Sequence, residues 1–116
     1  VAAALEVHKV LGGPGLLESV YEEALAWELI QRRLHVERQK LLPIVYKGTE
    51  LASPLRLDML VNDLVIVECK AVPQYNPIFQ AQALTYLRVT GLKLALIINF
   101  GSDVLRTGIR RVVNGL

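Results

Sequence analysis

The chain has 116 residues, enough for one domain with its own core. Its composition is 53% hydrophobic but only 6% aromatic, so that core is one of Leu, Val, Ile and Ala. No apolar run reaches the ~18 residues of a membrane span. No signal-peptide pattern opens the chain, and one cysteine excludes an internal disulfide, which fits a reducing, cytoplasmic setting. The net charge is +2 overall, but residues 1–30 carry −4 and residues 31–116 carry +6. The larger, basic part is either an ordinary solvated surface or a face for a polyanion.

Ala2 to Leu11 reads as a short helix, broken by Gly12-Gly13-Pro14-Gly15. His8 on this helix reads as a packed or solvent-facing residue. Leu16 to Leu34 reads as a long helix. Leu17, Val20, Ala24, Trp27 and Leu34 form the expected core-facing stripe, with Glu18, Tyr21, Glu22 and Leu25 beside it. Glu22 and Glu23 read as solvent-facing acids favoured near a helix N-terminus.

From Val36 the period changes to two, and a strand is expected to run through Tyr46 to a turn at Lys47-Gly48-Thr49. Pro43 marks an edge position or a bulge. Arg56 to Val61 and Leu64 to Lys70 read as an antiparallel pair joined by Asn62-Asp63. Asn76-Pro77 opens a helix that Gly91 closes after Thr90. Leu92 to Phe100 reads as a buried strand and Gly108 to Asn114 as a last short one. The sum is an α+β or mixed α/β fold, with helices packed on a central sheet.

The most unusual stretch is Asp58 to Lys70. Two acids and a lysine interrupt its apolar run, and buried charges need a partner or a metal. Glu68 and Lys70 share a strand face and Cys69 points the other way. If Asn62-Asp63 is a two-residue loop, Asp58 pairs with Val67, and Asp58 and Glu68 fall on opposite faces. A shared site therefore requires a bulge, another register or strand divergence. If they converge, two carboxylates and a backbone carbonyl suit Mg²⁺ or Mn²⁺. Spacing alone weighs that chemistry and a plain ion pair at a strand end equally.

Asp58 followed by Glu68-Cys69-Lys70 resembles the Asp…(Asp/Glu)-x-Lys signature of the PD-(D/E)XK nuclease superfamily. The αβββαβ core of that restriction-endonuclease-like fold matches the element order from the long helix onward. Gln82 to Tyr86 resembles the Gln-x-x-x-Tyr motif of its RecB-like, lambda-exonuclease-like branch. Gly15-Leu16-Leu17-Glu18-Ser19-Val20-Tyr21 resembles the motif that names the mostly prokaryotic GxxExxY family. Further matches include Val7-His8, Asn99-Phe100-Gly101 and Arg110 to Asn114. The doubled Gly12-Gly13 and Cys69, in a place more often aliphatic, depart from the family pattern.

The resemblance implies a single nuclease-like domain over residues 1–116. Asp58 and Glu68 would be metal ligands, with the Cys69 carbonyl as a further one. Lys70 would be the catalytic lysine and Glu18 an acid from the first core helix. Gln82 and Tyr86 would orient Lys70 or the scissile phosphate, or else form a polar pair tying helix to sheet. The implied activity is Mg²⁺- or Mn²⁺-dependent hydrolysis of nucleic acid, DNA foremost, with water as nucleophile. The alternative is a non-catalytic module of the same fold that binds nucleic acid or a protein partner. Homodimerisation would cover exposed apolar surface. No membrane partner is expected, and no glycine loop of the phosphate-cradling kind is present.

Overall fold

In a computed structural model describing residues 1–115, three helices pack on a five-stranded mixed sheet. The elements in chain order are α1 (Ala2–Val10), α2 (Glu18–Gln31), β1 (Val36–Leu42), β2 (Val45–Tyr46), β3 (Thr49–Glu50), β4 (Leu55–Val61), β5 (Val65–Lys70), α3 (Ile78–Thr90), β6 (Leu94–Asn99) and β7 (Ile109–Val113). A short 3₁₀ turn, Leu105–Gly108, leads into β7. The sheet order is β1-β4-β5-β6-β7. β5 and β6 run parallel, and the other neighbours are antiparallel. This mixed α+β architecture agrees with the expected restriction-endonuclease-like class.

The helix boundaries follow local chemistry. Asn76 Oδ1 accepts the Ile78 amide at 3.0 Å and so caps α3. Gly91 at φ 76° ends it, returning its amide to the Leu87 carbonyl at 2.8 Å. β1 lies at the sheet edge, as Pro43 just beyond it requires. The segment after Pro43 does not continue that strand. It folds back on itself as the exposed β2–β3 hairpin, turning at Lys47 and Gly48, both at positive φ.

α1 and α2 cover one sheet face and α3 the other. The first face holds Tyr21, Leu25, Met59, Val67, Cys69, Ile98 and Phe100. The second holds Leu57, Leu60, Ile66, Ala83, Leu87, Ala95 and Ile97.

Two expectations for α2 are corrected here. Its buried side is Tyr21, Glu22, Leu25 and Ala26, not the stripe of Leu17, Val20, Ala24, Trp27 and Leu34. Leu17 is 75% exposed and Trp27 59%. Apolar spacing identified two adjacent stripes, and the more polar one won because Glu22 finds partners on β1 and Tyr21 finds them in the Gly13–Leu16 loop and on Phe100. Glu22 is buried, not solvent-facing, and accepts from Arg38 Nη2 at 3.0 Å and Gln39 Nε2 at 2.8 Å.

Those contacts fall where the pleat of the sheet breaks. Met59 and Val61 pack toward α1 and α2, whereas Leu57 packs toward α3. An unbroken strand would put all three on one face. β1 makes the same switch between Val36 and Leu42. Gln39, in register opposite Asp58, adopts φ 50° at this point, a conformation a non-glycine residue adopts only when its surroundings compel it.

Candidate functional site

The register of β4 and β5 decides whether Asp58 and Glu68 can meet. Val61 pairs with Val65, Leu60 with Ile66 and Met59 with Val67. The connection is therefore three residues, Asn62 to Leu64, not two, with Asn62 and Asp63 both at positive φ. This corrects the expected pairing of Val61 with Leu64. The next position in register sets Asp58 opposite Glu68, and directly opposed residues share a face. The ladder stops at Met59 and Val67. Beyond it the strands are joined by the Asp58 side chain, whose Oδ2 accepts the Cys69 amide at 2.9 Å. One carboxylate thus takes the place of a backbone rung and is fixed beside the other.

Glu68 lies at the bottom of the site, 7% exposed. Its Oε1 is buried with no hydrogen-bond partner. Burial, and next the negative charge of Asp58, push its carboxyl up to about 9. Two facing acids, one of them buried, are costly when both are ionised, and either a proton or a cation relieves that cost. Two hard carboxylate oxygens side by side suit Mg²⁺ or Mn²⁺.

Lys70 is two residues on along the same strand, and its Nζ stands 4.7 Å from the centre of the Phe79 ring. That cation–π contact with α3 fixes the ammonium beside the acids. Glu18, at the first position of α2, feels the charges of Lys70, Asp58 and Glu22 and the amide of Ala71. Burial raises its carboxyl pKa; Lys70 opposes that rise and the two acids add to it. Glu18 therefore overhangs the end of β5. Tyr86 is close enough that, after burial, the charges of Glu68 and Asp58 help raise its phenol. Gln82 is one helical turn before Tyr86 on an exposed part of α3, with no side-chain hydrogen bond among the described residues. Cys69 is fully buried on the opposite sheet face, toward α1 and α2. Burial, and then the surrounding acids, push its thiol well up.

The structure thus brings Glu18, Asp58, Glu68, Lys70 and Tyr86 to one end of β5 and leaves Gln82 at the rim. Sequence reasoning missed Phe79, although Phe79, Gln82 and Tyr86 recur at helical spacings of three and four and the aromatic leads the stripe. It also missed an exposed cluster of His35, Glu37 and Asp63, whose ligand atoms lie within 4.8 Å of one another. That cluster already has partners: His35 Nε2 donates to Glu37 at 3.1 Å and Lys40 Nζ approaches Glu37 Oε2 at 2.7 Å. A lysine occupying the carboxylate makes it the poorer cation site.

Half-buried Asp58 opposite buried Glu68, with Lys70 on the same strand as Glu68, is an arrangement that suits a divalent cation. A family profile makes the identity more specific: residues 1–112 match that of the PD-(D/E)XK nuclease superfamily, and the chain belongs to it. Nucleases of that superfamily generally depend on a divalent metal. No curated protein and no solved structure gives a significant match. Among the described residues no helix is long and apolar enough to cross a membrane.

Proposed function

We propose that this chain is a Mg²⁺- or Mn²⁺-dependent nuclease that hydrolyses phosphodiester bonds, most naturally of DNA, acting as one domain of the GxxExxY type. The observation that carries the reading is the opposition of Asp58 and buried Glu68 across β4 and β5, with Glu68 Oε1 left without a partner. Asp58, Glu68 and the Cys69 carbonyl would hold the cation. When bound, such a cation lowers the pKa of water to make a nucleophile and neutralises charge on the phosphoryl group.

The remaining work belongs to the side chains. Lys70, steadied on Phe79, orients the attacking water and stabilises negative charge as it develops. Glu18 supplies a third acid from the α2 side, placed to receive a proton. Tyr86 and Gln82 line the α3 side and position the phosphate and Lys70. Asp58 also positions Cys69 through the amide it accepts, so its loss disturbs two ligands together.

The test is cleavage of single- and double-stranded DNA and RNA with Mg²⁺ or Mn²⁺. Wild type is expected to cleave at least one of these, and Lys70→Ala to lose about 10²-fold or more of the rate. Equal behaviour of the two proteins on every substrate contradicts the catalytic reading. The second reading, a non-catalytic binding module, draws on one observation. An apolar groove of ≈ 370 Å³ between α1 and α2 exposes Val10, Val20 and Trp27, as a protein partner or a second copy of the chain would require. Salt-dependent nucleic-acid binding without cleavage in the same assay favours it.

A further inference from the structure

Several residues of the sequence motifs have no part in the metal chemistry. His8, Tyr21, Asn99 and Gly101 all converge on one place. Beside Lys70, at the carboxyl ends of the parallel strands β5 and β6, three loops border an open cleft of ≈ 280 Å³. Pro14, Gly15 and Leu16 form one wall, Ala71, Val72 and Pro73 the other, with Gly101 between them. The carboxyl end of neighbouring parallel strands is where open α/β sheets place their ligands.

Each wall is held by a buried polar side chain. Tyr21, fully buried and stacked on Phe100 at 4.8 Å, donates its hydroxyl to the Gly13 carbonyl at 2.7 Å and accepts the Leu16 amide at 3.1 Å. Asn99, 1% exposed, accepts the Val72 and Gly101 amides and donates to the Val72 carbonyl, each at 3.0 Å. His8 Nε2 donates to the Ser102 carbonyl at 2.9 Å. A Cβ at Gly101 would run into the Val72 backbone, so glycine alone allows the two loops to touch. Loops pinned this thoroughly form a preformed pocket rather than a collapsible surface.

The geometry points to a subsite for one unstacked nucleoside, the base and sugar next to the scissile phosphate. This rests on the nuclease reading for its substrate. The walls carry no charged side chain, so the pocket does not take a phosphate; proline, leucine and valine surfaces with intervening peptide groups suit a neutral ring and its edge polar atoms. Its size suits one residue of a strand, not a paired duplex. Leu16 is two residues from Glu18, and Ala71 follows Lys70, so a nucleoside seated here presents its own phosphate to the acids. A base in this pocket has left the helical stack, and that cost is least where it is already unpaired. The enzyme therefore cuts beside unpaired nucleotides.

The experiment compares a single-stranded oligonucleotide, its duplex, and the same strand with one internal abasic residue, using wild type and Pro73→Trp, which fills the pocket from an exposed position. Wild type is expected to cut the single strand at least about ten-fold faster than the duplex, and to cut about ten-fold more slowly at the bond on one side of the abasic residue. Pro73→Trp is expected to raise KM on the intact strand and to cut intact and abasic strands alike. Equal cutting of intact and abasic strands by wild type, or faster cutting of duplex, overturns the subsite while leaving the nuclease reading in place. If wild type cuts nothing, binding of a 2-aminopurine-labelled single strand decides. A fluorescence change that Pro73→Trp abolishes upholds the pocket and removes only the catalysis. Identical responses of the two proteins overturn the pocket as well.

Discussion

Glu68 sets the character of the site. Its carboxyl sits at about 9 against an ordinary value of 4.5 because it is buried and faces Asp58. The folded chain without metal therefore keeps a proton that the unfolded chain releases between those two values. Stability consequently falls as pH rises through that window, the opposite of the usual salt-bridged carboxylate. Thermal denaturation of the metal-free protein is expected to show a melting temperature that declines from pH about 5 to about 9, with the decline reduced in Glu68→Gln. A melting temperature that rises over the same range contradicts the buried, protonated Glu68. A divalent cation bound there would displace the proton, so added Mg²⁺ or Mn²⁺ is expected to raise the melting temperature most at the alkaline end.

At the scale of elements, α2 shows what burial depends on. Its exposed stripe includes a tryptophan, and its buried stripe includes Glu22, clamped by Arg38 and Gln39. Leu25, 2% exposed, faces the sheet, whereas Trp27 looks outward. Leu25→Ala is expected to cost about 2–5 kcal/mol and Trp27→Ala less than about 1 kcal/mol, measured by urea denaturation. The reverse ranking would mean that α2 is turned the other way and that Glu18 does not reach the site. Much of the element level was legible in the chain. Asn76 and Gly91 announced the limits of α3, and the period-two segments announced β4 and β5. The rotation of α2 was not legible, because two adjacent apolar stripes satisfy the same helical period and only partners on β1 choose between them. The β4–β5 register was not legible either. Asn62-Asp63 signals a tight turn, but whether the turn takes two or three residues depends on contacts such as His35 N to Asn62 Oδ1 at 2.8 Å, which join it to a distant segment.

For the molecule as a whole, the site is assembled from parts that sequence distance conceals. Glu18 comes from the helix on one sheet face, Tyr86 from the helix on the other, and Asp58 and Glu68 from the strands between. The family signature marked these residues, but it did not explain how Asp58 and Glu68 come to one face. The three-residue connection, the switch of pleat at Gln39 and Asp58, and the Cys69 amide on Asp58 Oδ2 supply that explanation. The same end of the sheet carries the pinned loops that border the proposed nucleoside subsite, so the acids and that cleft share one frame. Asp58 and Glu68 are proposed to hold a divalent cation there. Anomalous diffraction from a Mn²⁺-soaked crystal tests it most directly. A peak is expected about 2.2 Å from oxygens of both carboxylates, close to the Cys69 carbonyl. Density at His35, Glu37 and Asp63 instead, or no ion between Asp58 and Glu68 at saturating Mn²⁺, would contradict it.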